Sequence, residues 1–193
     1  MEIFLCILVG YLIGSFPTGV VLTRKKYGLD VREMGSGNIG ATNVTRVFGW
    51  YAGIIVFAID CAKAVLPLLY VQFNHPEDPW LLTYTGWALV IGHCFSVFLG
   101  FKGGKGVATT LGCILIVEPL AAVLSGFVYF ILLYLTQISA VGSLAGILTA
   151  NLFILWQGET LAVKALVWGI SVIVLVRHKE NILRLVQGLQ KKG

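Results

Sequence analysis

Three polar motifs interrupt an otherwise apolar chain, and their residue types are those that bind phosphate. The first is Gly35-Ser36-Gly37-Asn38-Ile39-Gly40-Ala41-Thr42-Asn43-Val44-Thr45-Arg46. Its glycines let backbone N–H groups approach a ligand, and Ser36, Asn38, Thr42 and Asn43 add neutral donors. Asn38 is suited to N-cap a helix running on into the apolar segment behind it, which puts Thr42 and Arg46 one turn apart on one face. Amides and a helix N-terminus can cradle a phosphate while a guanidinium clamps it. The plainer reading is a flexible loop with an arginine that sets topology.

The second motif is Phe101-Lys102-Gly103-Gly104-Lys105-Gly106-Val107-Ala108-Thr109-Thr110, preceded by Gly92-His93. It lacks the G-x-x-x-x-G-K-[ST] spacing, so nucleotide binding does not follow. Lys105 falls at the start of a helix, where the macrodipole disfavours a cation by ~0.3–1 kcal/mol; an anion held between lysine and helix reverses that sign. Against this stands the reading of plain interfacial lysines among loop glycines. His93 by itself reads as a packed or hydrogen-bonded histidine.

The third motif is Arg177-His178-Lys179-Glu180-Asn181-Ile182-Leu183-Arg184-Leu185. As a helix it puts His178, Asn181, Ile182, Leu185 and Leu189 on one face and Glu180, Arg184 and Lys191 on the other. A purely interfacial helix would not place polar His178 and Asn181 on its buried face, so a site beneath the helix is expected. Glu180 reads as a solvent-facing i,i+4 partner of Arg184. Two features stand apart. Asp60 and Lys63 lie mid-span at i,i+3, as a functional pair or a self-neutralising one. Ser143, beside Gly142, is a further candidate donor level with the motifs.

These motifs must be carried by membrane helices. With 193 residues, 58% hydrophobic, 12% charged and a mean hydropathy of +0.89, the chain is far more apolar than a soluble domain. We expect one polytopic membrane domain over 1–193. Apolar runs at roughly 3–23, 51–73, 81–99, 103–117, 120–136, 140–156 and 160–176 suggest seven transmembrane helices, the fourth and fifth turning at Glu118-Pro119. The N-terminus lacks a basic region ahead of its apolar run, so it reads as a first span and not a cleaved signal.

The basic residues set the orientation. With the N-terminus outside and the C-terminus cytoplasmic, Arg24, Lys25, Lys26, Arg32, Arg46, Lys102, Lys105, Arg177, Lys179, Arg184, Lys191 and Lys192 all fall inside, leaving only Lys63 and Lys164 of the fourteen Lys and Arg. The tail should form a short interfacial helix. All three motifs then share the cytoplasmic face. The four cysteines lie singly in apolar runs and suggest neither zinc nor disulfides. A net charge of +5 in so apolar a chain argues for anionic headgroups or substrates and against nucleic acid.

Through these motifs the chain resembles, over almost its whole length, the acyl-phosphate-dependent glycerol-3-phosphate acyltransferase (PlsY) family of bacteria. The resemblance rests on Ser36 to Asn43, on Gly92-His93 and Phe101 to Thr109, and on Arg177 to Ile182. It implies transfer of a fatty acyl group from acyl phosphate to the 1-hydroxyl of glycerol-3-phosphate, giving lysophosphatidic acid and phosphate. In the family the lysine-glycine motif is associated with glycerol-3-phosphate, which points to Lys102, Gly103, Gly104, Lys105 and Gly106. The substrate-binding set is then Ser36, Gly37, Asn38, Thr42, Asn43, Arg46, those five, Ser143, His178 and Asn181, with His178, Lys105 and Arg46 nearest the chemistry. No metal or cofactor is expected, and the protein should act as a monomer in the bacterial inner membrane with its site facing the cytoplasm.

The His-x-x-x-x-Asp base of other acyltransferases is excluded, because Phe98 stands five places after His93. An acyl phosphate is already activated, so holding two anions together and orienting the hydroxyl can suffice, with donors at Ser36, Thr42, Asn43 and the Gly103 and Gly104 amides. His178 as general base is the competing version. A transporter for a phosphorylated solute is the alternative class, favoured only by Asp60 and Lys63. Lipid phosphatases and phosphatidyltransferases would need an Asp-rich metal motif, which the chain lacks.

Overall fold

The structure, a computed structural model, describes residues 2–188 and is all helical. The expectations for Leu189, Lys191 and Lys192 lie outside the described residues. Ten α-helices run α1 Glu2–Ser15, α2 Thr18–Tyr27, α3 Ala41–Phe48, α4 Trp50–Asn74, α5 Pro79–Cys94, α6 Val107–Val117, α7 Pro119–Thr136, α8 Ser139–Trp156, α9 Leu161–Arg177 and α10 Lys179–Val186.

Local chemistry explains most of these boundaries. Pro17 offers no N–H, so the first apolar run breaks between α1 and α2, although Ile3–Tyr27 together remains a single candidate span. Asp78 caps α5 by accepting from the Leu81 amide at 3.0 Å, with Pro79 at the first position. Pro119 likewise opens α7 where the sequence places a turn.

Among the described residues five segments are long and apolar enough to cross a membrane, or six if α9 and α10, bent by 59° at their junction, count as one broken span. The expected fourth span is the short one. Residues 100–106 form a loop in place of a first helical turn, leaving α6 only 11 residues. At ~1.5 Å per residue it covers about 16 Å, too little to cross alone.

The core lies where α4, α5, α6 and α9 meet, around Leu68, Leu89, Val90, Ile114, Leu166 and Ile170, all at 2% exposure or less. α1 lies against α5 through glycine contacts: a Cβ on Gly14 would come within 2.1 Å of the Leu89 carbonyl oxygen. Such backbone approach is how membrane helices gain packing without a hydrophobic drive. Outward, α7 shows Phe127, Phe130 and Tyr134 at 65%, 66% and 79% exposure, the apolar exterior of a protein solvated by lipid.

Candidate active site

The first motif folds around one side chain. Asn43 on α3 is 2% exposed, and its Nδ2 faces the carbonyls of Val31, Met34 and Asn38 at 3.2, 3.0 and 2.9 Å, while its Oδ1 accepts from the Ser36 amide at 2.8 Å. Its amide group is thus committed to holding loop 31–38, so Asn43 positions Ser36, Gly37 and Asn38. The expected N-cap is corrected: Gly40 occupies that position, and Asn38 instead accepts from the Gly40 amide at 2.8 Å in a local turn. Nor does the helix run into the next span, because Gly49, with φ of 87°, separates α3 from α4. Asp30 braces the same loop, with Arg24 and Arg32 each 2.7 Å from its Oδ2. The Arg32 hydrogen bond chiefly holds this carboxyl well below the usual carboxylate range despite burial. Arg24 and Arg32 are thereby both paired with an acid.

Thr42 and Arg46 share the exposed face of α3, as the spacing implies. The Thr42 hydroxyl lies 3.1 Å from that of Ser139 at the start of α8, which in turn lies 3.1 Å from the Tyr129 hydroxyl of α7. Ser143, 5% exposed, donates to the Ser139 carbonyl at 2.9 Å. Ser143 therefore joins the first motif through Ser139.

The glycines of the second motif serve a different purpose from the one expected. The Gly103 amide donates to the Cys94 carbonyl at 3.1 Å and the Gly104 amide to that of His93 at 3.0 Å. These amides are therefore bonded to the end of α5 and not open to a phosphate, which corrects that expectation. Their carbonyls are held too: Arg177 donates through Nη2 to Gly103 at 2.9 Å and through Nε to Gly104 at 3.0 Å, with its guanidinium 5.3 Å from the centre of the Phe95 ring. Glycine is required here by close approach. A Cβ on Gly103 would lie 2.1 Å from the His93 carbonyl oxygen, and one on Gly104 would lie 2.2 Å from His93 Nε2. The loop turns through left-handed residues at Gly100, Phe101 and Gly106, and Phe101, at φ 63°, is the one without glycine's freedom. Lys102 is exposed on it, while Lys105 turns inward to α10.

The third motif meets the second directly: Lys105 Nζ donates to Asn181 Oδ1. His178, 1% exposed at the α9–α10 bend, has Nδ1 at 2.8 Å from the Val174 carbonyl. A carbonyl only accepts, so Nδ1 carries the hydrogen and Nε2 is left as an acceptor in the neutral ring. Along α10, Asn181, Ile182 and Leu185 are half-buried while Glu180 and Arg184 are exposed, as the helical spacing predicts. Glu180 and Arg184 form the expected i,i+4 pair at 3.8 Å.

Lys105 is the point on which the cations converge. Burial first, then the charge of Arg184, with Arg177 and Arg46 adding and Glu180 opposing, lowers its ammonium to about 8. Four cations thus lie in one small region ahead of the α6 N-terminus, a concentration of positive potential chemically suited to an anion. Lys105, Arg46 and Asn181 are brought together. Ser36 and Gly37 stay exposed on their braced loop, and Thr42 looks toward α8. Sequence reasoning placed Arg177 in the third motif but gave it no role beyond topology, and passed over Ser139, Tyr129 and Asp30. Nothing local marks Arg177 or Ser139, whose partners lie more than seventy residues away, and Tyr129 meets Ser139 from a different helix, whereas the spacing of Asp30 two residues before Arg32 is a local signal that could have found it.

A family model described as glycerol-3-phosphate acyltransferase matches residues 4–188. The glycerol-3-phosphate acyltransferase of Anaeromyxobacter dehalogenans is 46% identical, covering 97% of this chain and 96% of that one. That of Aquifex aeolicus is 38% identical and covers 100% of both. Crystal structures of PlsY, an integral membrane glycerol 3-phosphate acyltransferase, superpose with a TM-score of 0.95 at 38% identity in the glycerol 3-phosphate form and 0.93 at 36% identity in the lysophosphatidic acid form. These alignments cover 100% of this chain and 96% and 95% of the others.

Proposed function

The chain belongs to the glycerol-3-phosphate acyltransferase family, and from that premise we propose that it uses acyl phosphate as donor and esterifies the 1-hydroxyl of sn-glycerol-3-phosphate, releasing lysophosphatidic acid and phosphate. The observation that carries this reading is the convergence of Arg46, Arg177 and Arg184 on Lys105, itself bonded to Asn181. Both substrates are anions, and the donor's chain needs the apolar space between membrane helices.

The hydroxyl oxygen attacks the acyl carbonyl carbon, the bond from that carbon to the phosphate oxygen breaks, and a phosphate oxygen of the donor takes the hydroxyl proton. Lys105 and Arg46 hold the phosphates and stabilise the charge that builds on the carbonyl and leaving group. Thr42, Ser143 and the braced residues Ser36, Gly37 and Asn38 line the approach, and Asn43 keeps them in place. Gly103, Gly104 and Gly106 shape the loop, Lys102 draws anions toward it, and His178 and Asn181 orient the acceptor. The site is assembled from motifs of one chain, which supports action as a monomer. It needs neither a metal nor a cofactor.

We place seven spans in the bacterial inner membrane, N-terminus outside and C-terminus inside, with α6 sheltered by α4, α5, α7 and α9 and α10 lying in the cytoplasmic interface. Support comes from the positive-inside distribution, which gathers Arg24, Lys25, Lys26, Arg32, Arg46, Lys102, Lys105, Arg177, Lys179 and Arg184 on one side. The testing experiment is incubation of the purified protein with palmitoyl phosphate and glycerol-3-phosphate, without metal or coenzyme A. Stoichiometric phosphate and lysophosphatidic acid are expected; absence of phosphate release overturns the reading.

The two versions of the proton transfer separate at His178. His178→Gln is expected to lose about tenfold in rate, one orienting hydrogen bond, and to keep the pH profile of the native enzyme. Loss of several orders of magnitude with substrate binding intact, together with disappearance of an acidic limb, would instead make His178 the base.

A further inference from the structure

The mechanism leaves a buried polar cluster unused. Asp60, Lys63 and His93 are 2%, 7% and 4% exposed, on α4 and α5. Lys63 Nζ lies 2.9 Å from Asp60 Oδ1, 2.7 Å from His93 Nδ1 and 3.3 Å from the Phe16 carbonyl oxygen, so its three hydrogens all meet acceptors. Asp60 Oδ1 also accepts from the Thr18 hydroxyl at 2.8 Å. An ammonium donating to Nδ1 puts the His93 hydrogen on Nε2, the edge that Gly104 abuts. Enclosing an ion pair costs desolvation that apolar packing avoids, so stability alone is a poor reason for it.

Its position supplies another reason. His93 is gripped on its Nδ1 edge by Lys63, and it bears on the glycine loop in two ways: its ring packs against Gly104, and its carbonyl receives the Gly104 amide. The next residue is Lys105. We propose that Asp60, Lys63 and His93 are positioning residues that fix the His93 ring against Gly104 and so aim Lys105 at its anion. Arg177 holds the same loop through the carbonyls of Gly103 and Gly104. The inference rests on the proposed role of Lys105 in holding a substrate phosphate.

The test neutralises the pair together, Asp60→Asn with Lys63→Met, so that no lone charge is left buried; His93→Leu is the second variant. Each is assayed in the native background and in Lys105→Gln. In the native background KM for glycerol-3-phosphate is expected to rise between about tenfold and 10²-fold, the effect of displacing a binding group by an ångström. KM for palmitoyl phosphate and the melting temperature should hold. In Lys105→Gln no further rise is expected, since the cluster acts through that residue. His93→Asn, whose Oδ1 can accept from Lys63 in place of Nδ1, should recover part of the loss. An unchanged KM in folded variants, or an equal rise in both backgrounds, overturns the inference. If Lys105→Gln itself leaves KM unaltered, the substrate role of Lys105 falls instead. Trace acetylation of Lys105 relative to Lys102, read by mass spectrometry, then decides the aiming on its own: a ratio altered severalfold supports it, and an unchanged ratio refutes it.

Discussion

Replacing Lys105 by Met is expected to lower kcat/KM for glycerol-3-phosphate by about 10²–10³-fold, the usual cost of removing one preorganised donor from a site where charge develops. Lys105 contributes an ammonium that is partly buried, bonded to Asn181 and set at the approach to α6, whose dipole also favours an anion. Methionine keeps much of the length and apolar stem while removing the charge, so folding should be preserved. The pH dependence sharpens the test. With Lys105 lowered to about 8, the charged form dominates below that value and is lost as pH rises through it. In the free enzyme, kcat/KM should therefore decline above about pH 8. Lys105→Arg, which stays charged, should retain part of the activity and abolish that decline. A steady-state pH series on both variants checks it, and a native profile flat to pH 10 would exclude Lys105 as the anion's partner.

Gly103→Ala is expected to be nearly as damaging, for a steric reason. The added Cβ would stand 2.1 Å from the His93 carbonyl oxygen and 2.8 Å from the Cys94 carbonyl. Both are backbone atoms at the end of α5, unable to swing aside as a side chain does. The loop must retreat, which breaks the hydrogen bond from the Gly103 N–H to the Cys94 carbonyl and that from Arg177 to the Gly103 carbonyl and carries Lys105 with it. A displacement near an ångström corresponds to about 10²-fold in turnover. A lowered melting temperature should accompany it. Gly28→Ala gives the contrast: nothing lies within 4 Å of its added Cβ, and its φ of 68° exacts only local strain, so stability should shift slightly while activity stays. Wild-type turnover in Gly103→Ala would show that the close contact does not govern the loop.

What the sequence determined by itself was where the helices run and which residues share a face, both set by neighbours along the chain. Hydropathy and proline placed all seven apolar runs within a few residues of their helices, because a membrane helix satisfies its backbone internally and needs only length and apolar side chains. Spacing alone set Thr42 beside Arg46, Glu180 beside Arg184, and His178, Asn181 and Ile182 on the inward face of the last turns. Tertiary structure alone decided what the polar groups bind. Asn38 yields its capping position to Gly40, and the Gly103 and Gly104 amides turn to α5. Arg177 grips carbonyls more than seventy residues upstream. Asp60 and Lys63, which looked equally like a functional pair or a self-neutralising one, acquire a third partner in His93, thirty residues away from Lys63. The reason is physical: a hydrogen bond in a low-dielectric interior goes to whichever partner packing brings within 3 Å, and spacing along the chain records faces and lengths but not that choice.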